Sequence, residues 1–315
     1  MLSPEMRRRL RQLEFISKRQ IEGLAPGRCA SIFKGQGVEF AEVREYQAGD
    51  DVRCLDWNVS ARLGRPFIKL NVEERELSLI FAVDASLSMN IGSAAGTKLD
   101  AALQAAALLA YAAAGQGHKT GLLLFAGGVE RYLPPQQGSG QVQRLLGEIG
   151  SVRKRGRGTD LAGALRFLNR CHPRRALVFL LSDLLDPRFG TPAYVSAPEK
   201  NAAAVTLSED TARSLRLTCR RHDLAVLRIA AAGEGELPDV GTVRWRDAET
   251  GRMISVNTSD AALRRRYAEN MAAYGAAWRS LVRGAGGRYA ELSGGEELLP
   301  QLLAFMSQRK ESALR

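Results

Sequence analysis

Leu77-Ser78-Leu79-Ile80-Phe81-Ala82-Val83-Asp84-Ala85-Ser86-Leu87-Ser88-Met89 is the stretch whose reading decides the fold. Residues 77–83 are apolar except Ser78 and run directly into an acid and two alternating hydroxyls. An uninterrupted apolar run of this length, bounded by polar residues, predicts a strand buried on both faces. The polar cluster then falls at the carboxyl end of that strand, where open parallel sheets place their ligands. Asp84, Ser86 and Ser88 offer oxygen alone, the donor that hard divalent cations prefer.

Two further oxygen donors recur in similar settings. Gly156-Arg157-Gly158-Thr159-Asp160-Leu161 is a glycine-rich loop entering a helical pattern, and Ala176-Leu177-Val178-Phe179-Leu180-Leu181-Ser182-Asp183 is a second buried strand ending in an acid. Asp84, Ser86, Ser88, Thr159 and Asp183 together resemble the metal-ion-dependent adhesion site of von Willebrand factor A domains. That resemblance implies one Mg2+ (or Mn2+ or Ca2+) held by these five residues. The competing reading is local: Ser86, Ser88, Thr159 or Asp160 as helix caps and Asp183 as a strand-end turn residue.

The size, 315 residues, allows one large or two modest domains, and 45% apolar with 25% charged residues is ordinary for a soluble globular protein. The apolar stretch Ala101 to Ala114 is too short to span a bilayer and reads as a buried helix, so the expected location is cytoplasmic, without a membrane span. Four scattered cysteines and three histidines without paired spacing argue against zinc and fit a reducing compartment. The net charge of +11 favours acidic partners. Arg153, Lys154, Arg155 and Arg157, beside the Thr159 loop, are the expected partner-binding residues.

Positions 4 to about 20 read as an amphipathic helix. The segment Val38 to Lys69 interleaves bulky apolar residues with opposite charges and reads as two or three short strands tied by a polar network. Its structural residues are Arg44, Glu45, Tyr46, Asp50, Asp51, Arg53, Asp56, Trp57 and Arg62. The string R-E-Y-x-x-G-D-D-V-R-x-x-D-W-N-x-S-A-R, followed by Arg65-Pro66-Phe67-Ile68-Lys69, resembles the bacterial family known as domain of unknown function fifty-eight.

The resemblance implies an α/β fold of von Willebrand factor A-like (Rossmann-type) form. That is a doubly wound, mostly parallel sheet with helices on both faces, here over residues 75–315. A small N-terminal helix and β-rich extension over 1–74 would precede it. It also implies a MoxR-type AAA+ ATPase as partner, or its client, and an adaptor-like role. Members often carry D-P-x-E after the strand that here reads as Leu224 to Ala230; in this chain the stretch is Ala231-Ala232-Gly233-Glu234.

Along the rest of the chain, a short edge strand Val129 to Leu133 is expected to stop at Pro134-Pro135. Residues 187–209 form a polar insertion that reads as a lid or as a disordered loop.

The expected function is non-catalytic, metal-dependent binding of an acidic group on a partner protein. Phosphohydrolases of the D-x-D-x-T type are disfavoured because Ser86 stands where the second acid would be. The chain has no P-loop. Nucleic-acid binding, the reading the charge invites, lacks a recognised motif and has only 6% aromatic residues to support it.

Overall fold

The computed structural model describes residues 43–47, 50–52, 55–69, 76–93, 96–151, 158–185, 208–231, 233–246, 253–293 and 298–307, with positions 8, 11, 12, 14–17 and 19 of an N-terminal helical stretch. Its strands are β1 (Val43–Glu45), β2 (Phe67–Lys69), β3 (Ser78–Asp84), β4 (Gly92–Ser93), β5 (Gly96–Thr97), β6 (Lys119–Phe125), β7 (Val129–Gln136), β8 (Leu177–Ser182), β9 (Asp223–Ala230), β10 (Thr242–Arg246), β11 (Met253–Asn257) and β12 (Arg288–Ser293). Its helices are α1 (Trp57–Leu63), α2 (Lys98–Gly115), α3 (Ser139–Ser151), α4 (Leu161–Cys171), α5 (Glu209–Arg221), α6 (Ala261–Gly284) and α7 (Leu298–Ser307).

Six strands form one sheet in the order β12-β9-β8-β3-β6-β7, parallel except for β7 at the edge. Because side chains alternate along a strand, β3 sends Leu79, Phe81 and Val83 to one face and Ile80 and Ala82 to the other. The first face is covered by α2, α3 and α7, with Phe81 stacked on Phe179 at 5.6 Å. The second face is covered by α4, α5 and α6, which contribute Leu165, Leu215, Tyr274 and Trp278. This is the doubly wound, von Willebrand factor A-like sheet, with the central strand β3 buried along nearly its whole length. The alanines of α2 let that helix lie against the strands on one side and α3 and α7 on the other, so it is buried almost all round.

Two expectations need correction. β7 does not stop at Pro134 but continues through both prolines to Gln136. Proline has no N–H to donate, which an edge strand tolerates, and the ladder shifts register between Thr120 and Leu122 to admit it. In the Val38–Lys69 segment two short antiparallel strands are present as expected, but a helix not expected there, α1, separates them. The Asp56 carboxylate caps α1 by accepting from the backbone N–H of Asn58 and Val59, and Gly64 ends it in the left-handed region at φ 68°. No helix among the described residues is long and apolar enough to cross a membrane.

Candidate functional site

The carboxyl rim of β3 is where the sheet concentrates its buried polar groups. Asp84, Ser86 and Asp183 have no exposed surface, and Ser88 and Thr159 are almost as deeply buried. Asp84 ends β3; its Oδ1 accepts from the Ser86 backbone N–H at 2.9 Å and its Oδ2 from the Ser182 hydroxyl at 2.6 Å. The chain then turns through a short 3-10 segment, Leu87–Asn90, that sets the Ser86 and Ser88 hydroxyls 3.0 Å apart. Asp183 follows β8, the parallel neighbour of β3.

Thr159 comes from the loop before α4. The Asp160 backbone N–H donates to Ala126 O at 2.6 Å, which ties that loop to the end of β6, the strand on the other side of β3. Asp84, Ser86 and Ser88 are thus joined directly, Asp183 adjoins them through Ser182, and Thr159 sits on the rim beside Ala126.

Capping does not account for these hydroxyls. The long helix after β3 is α2, capped by Thr97 in a reciprocal capping box with Asp100. Helix α4 is capped by Asp160, whose side chain accepts from Gly163 N–H at 2.7 Å, not by Thr159. Ser86 precedes the 3-10 turn but makes no side-chain cap bond. The turn reading does hold in part for Asp183, whose Oδ1 accepts from Leu185 N–H at 3.1 Å.

Beyond Asp183 the backbone is unusual. Leu184 is a non-glycine residue at φ 63°, wholly buried, a conformation that must be held by its surroundings. Its N–H donates to the Ser182 hydroxyl, and its carbonyl accepts from the Tyr274 hydroxyl of α6.

The electrostatics of the rim are dominated by a residue not expected there. Lys98 opens α2, its side chain is 1% exposed, and its ammonium donates to Asp183 Oδ2 at 3.1 Å and to the Glu234 carboxylate. Burial alone would lower the Lys98 pKa, but the Asp183 and Glu234 carboxylates outweigh it and the net shift is upward. Among the described residues no cation pairs with Asp84 in this way. Burial, with the Asp183 charge adding to it, pushes its pKa up to about 7 against the pull of the Ser182 and Ser86 hydrogen bonds.

Lys98, Ser182 and Glu234 were missed in the sequence. One signal was available: a lysine at the first position of a helix faces the positive end of the helix dipole, so helix preference does not explain it. Glu234 keeps the final position of the D-P-x-E string although the aspartate and proline are absent. Beside it, a cavity of about 490 Å³ is lined by Arg228, Met271, Gly275, Arg279 and Glu291 among others.

In the extension, Arg44 pairs with Asp50 at 2.6 Å, Arg65 reaches Glu45 at 3.5 Å, and Tyr46 N–H donates to Pro66 O. Trp57 and Arg62 on α1 are exposed, as is Asp51. Arg53, the four basic residues Arg153, Lys154, Arg155 and Arg157, and nearly all of the 187–209 insertion lie outside the described residues.

An oxygen-only set fits a hard divalent cation. Among the described residues no three His, Cys, Asp or Glu side chains meet to hold a metal, so such an ion would depend on the hydroxyls. Its charge would supply what Asp84 lacks.

The profile described as "Protein of unknown function DUF58" matches residues 42–277. Over 313 residues the chain is 31% identical to the uncharacterized protein Rv1480 of Mycobacterium tuberculosis, covering 99% of this chain and 92% of that protein. It is 27% identical to the uncharacterized protein MAV169 of Mycobacterium avium over 58% of this chain and 96% of the other. Among solved structures, BatB from Bacteroides thetaiotaomicron is similar with 15% identity and a TM-score of 0.42, over 75% of this chain and 99% of that one. The SpRpn10 VWA domain is similar with 10% identity and a TM-score of 0.36, over 74% of this chain and 95% of that domain.

Proposed function

The chain belongs to the DUF58 family, and from that premise we propose that it is a non-catalytic protein-interaction module that docks an acidic side chain of a partner through a divalent ion. Asp84, Ser86, Ser88, Thr159 and Asp183 would hold the ion, directly or through water. When bound, the ion, Mg2+ or Mn2+, would offer a partner carboxylate a positive charge to bind. The observation that carries this reading is the meeting of Asp84, Ser86 and Ser88 beside a second buried acid, with the helix-capping work done by other residues. A buried carboxylate with its pKa at about 7 and a second acid at its side is a poor arrangement for stability alone. It suits a site whose charge is completed by a ligand.

The chain's own residues have defined tasks in this scheme. Ser182 and the Ser86 N–H orient the Asp84 carboxylate, and the Ser86–Ser88 contact fixes the hydroxyls relative to one another. Burial of the whole set excludes bulk water and so strengthens the contact with an incoming acid. The family resemblance supports a MoxR-type AAA+ ATPase, or its client, as the partner. Arg153, Lys154, Arg155 and Arg157 would favour its acidic surface.

The test is affinity capture from native lysate with wild type and Asp84→Ala, in Mg2+ and in chelator. The expected result is a partner retained only by wild type in Mg2+. Capture indifferent to both the substitution and the chelator overturns the metal-dependent reading.

A further inference from the structure

We propose that Lys98 is a built-in rival of the divalent ion, with Asp183 as a direct ligand: its ammonium holds Asp183 in the ion-free protein and leaves that carboxylate, retained by Glu234, when the ion is coordinated. This rests on the reading of Asp84, Ser86, Ser88, Thr159 and Asp183 as a metal site.

The geometry of Asp183 carries the argument. Its Oδ1 is engaged by Leu185 N–H and its Oδ2 by Lys98, so both oxygens already have partners. The Leu185 contact belongs to the backbone turn that follows β8, whereas the Lys98 contact is a side-chain ion pair that can be exchanged. A dication and an ammonium on one carboxylate oxygen repel each other strongly at this depth, so the lysine is the group that yields.

Where the displaced ammonium goes is also set by the fold. The Lys98 side chain is 1% exposed and cannot turn its charge to water. A buried ammonium needs a carboxylate, and Glu234 already touches it. Glu234 is itself positioned by its other oxygen, which accepts from Ala231 N–H at 3.0 Å. The root of Lys98 is equally fixed, since the preceding Thr97 caps α2 together with Asp100. Lys98 therefore pivots between two anchored acids, and the affinity of the site is the balance between ion and lysine for Asp183.

The experiment has two arms. In the first, the slowly exchanging side-chain ammonium signal of Lys98 is followed by NMR in lysine-labelled wild type, assigned by its loss in Lys98→Arg, during a Mg2+ titration. In the second, Mn2+ affinity is measured for wild type, Lys98→Met and Asp84→Asn. The inference predicts a Lys98 signal that shifts as Mg2+ binds, Mn2+ affinity raised about tenfold or more in Lys98→Met, and binding abolished in Asp84→Asn. Binding to Lys98→Met alone, with none to wild type, also supports it.

Wild-type binding with an unmoved Lys98 signal, or with unchanged affinity in Lys98→Met, overturns the inference and leaves the metal reading standing. Absence of binding in every protein overturns both. The NMR arm reads the native site, so an unfolded Lys98→Met does not remove the test.

Discussion

The rim of the sheet and the N-terminal extension use the same chemistry to opposite ends. Both are networks of acids, bases and hydroxyls. On the rim, Lys98, Asp183 and Asp84 are sealed from water, so each charge is costly unless matched and the surplus on Asp84 has nowhere to go. In the extension, Arg65 and Glu45 stand largely in solvent and Arg44 and Asp50 are partly exposed, so water reaches each pair and screens it. The same residue types therefore build a sealed cluster with an uncompensated acid in one place and a tolerant surface brace in the other.

The largest effect expected from this contrast is at Asp84. Its pKa stands near 7 in the folded chain and near 3.8 in the unfolded one, so the native state binds more protons between those values. In chelator, stability falls as pH rises from 4 to 7, by about 3 kcal/mol from this group. Asp84→Asn should flatten that slope and raise the urea midpoint at pH 7.5, while abolishing divalent-ion binding. A variant less stable than wild type across the whole range would break the contrast.

A smaller effect is expected at Asp160, which caps α4 and so sets the loop bearing Thr159. Asp160→Ala should cost about 1 kcal/mol in chemical denaturation and weaken Mn2+ binding as well. An undisturbed ion affinity would separate Thr159 from the site.

The smallest belongs to the extension. Arg44→Ala, which removes the pair with Asp50, should leave the urea midpoint within experimental scatter. A clear loss there would show that the brace is as tightly built as the rim.

What the sequence made legible follows from the same physics. Strand β3, the acid ending it and the acid just after β8 are written in local patterns, an apolar run broken by an oxygen-bearing residue, and these survive into the fold intact. Helix α1 was legible but passed over: Asp56 before Trp57 and Gly64 after Leu63 are a start and a stop. The opposite charges around them drew the reading toward strands instead.

The continuation of β7 through Pro134 and Pro135 depends on its lying at an edge, which local sequence does not encode. The Lys98–Glu234 pair joins residues 136 positions apart. No period or spacing links them, and only the closure of the sheet brings them together.

The left-handed bend at Leu184 has a consequence for how Asp183 can behave. Were a glycine there, the end of β8 could swivel and the acid could follow whatever pulled on it. A leucine whose side chain is locked into the core, clasped by a tyrosine from α6, forbids that freedom. Where Asp183 points is decided by hydrophobic packing beneath it, so a core substitution at Tyr274 would misaim the carboxylate without touching it.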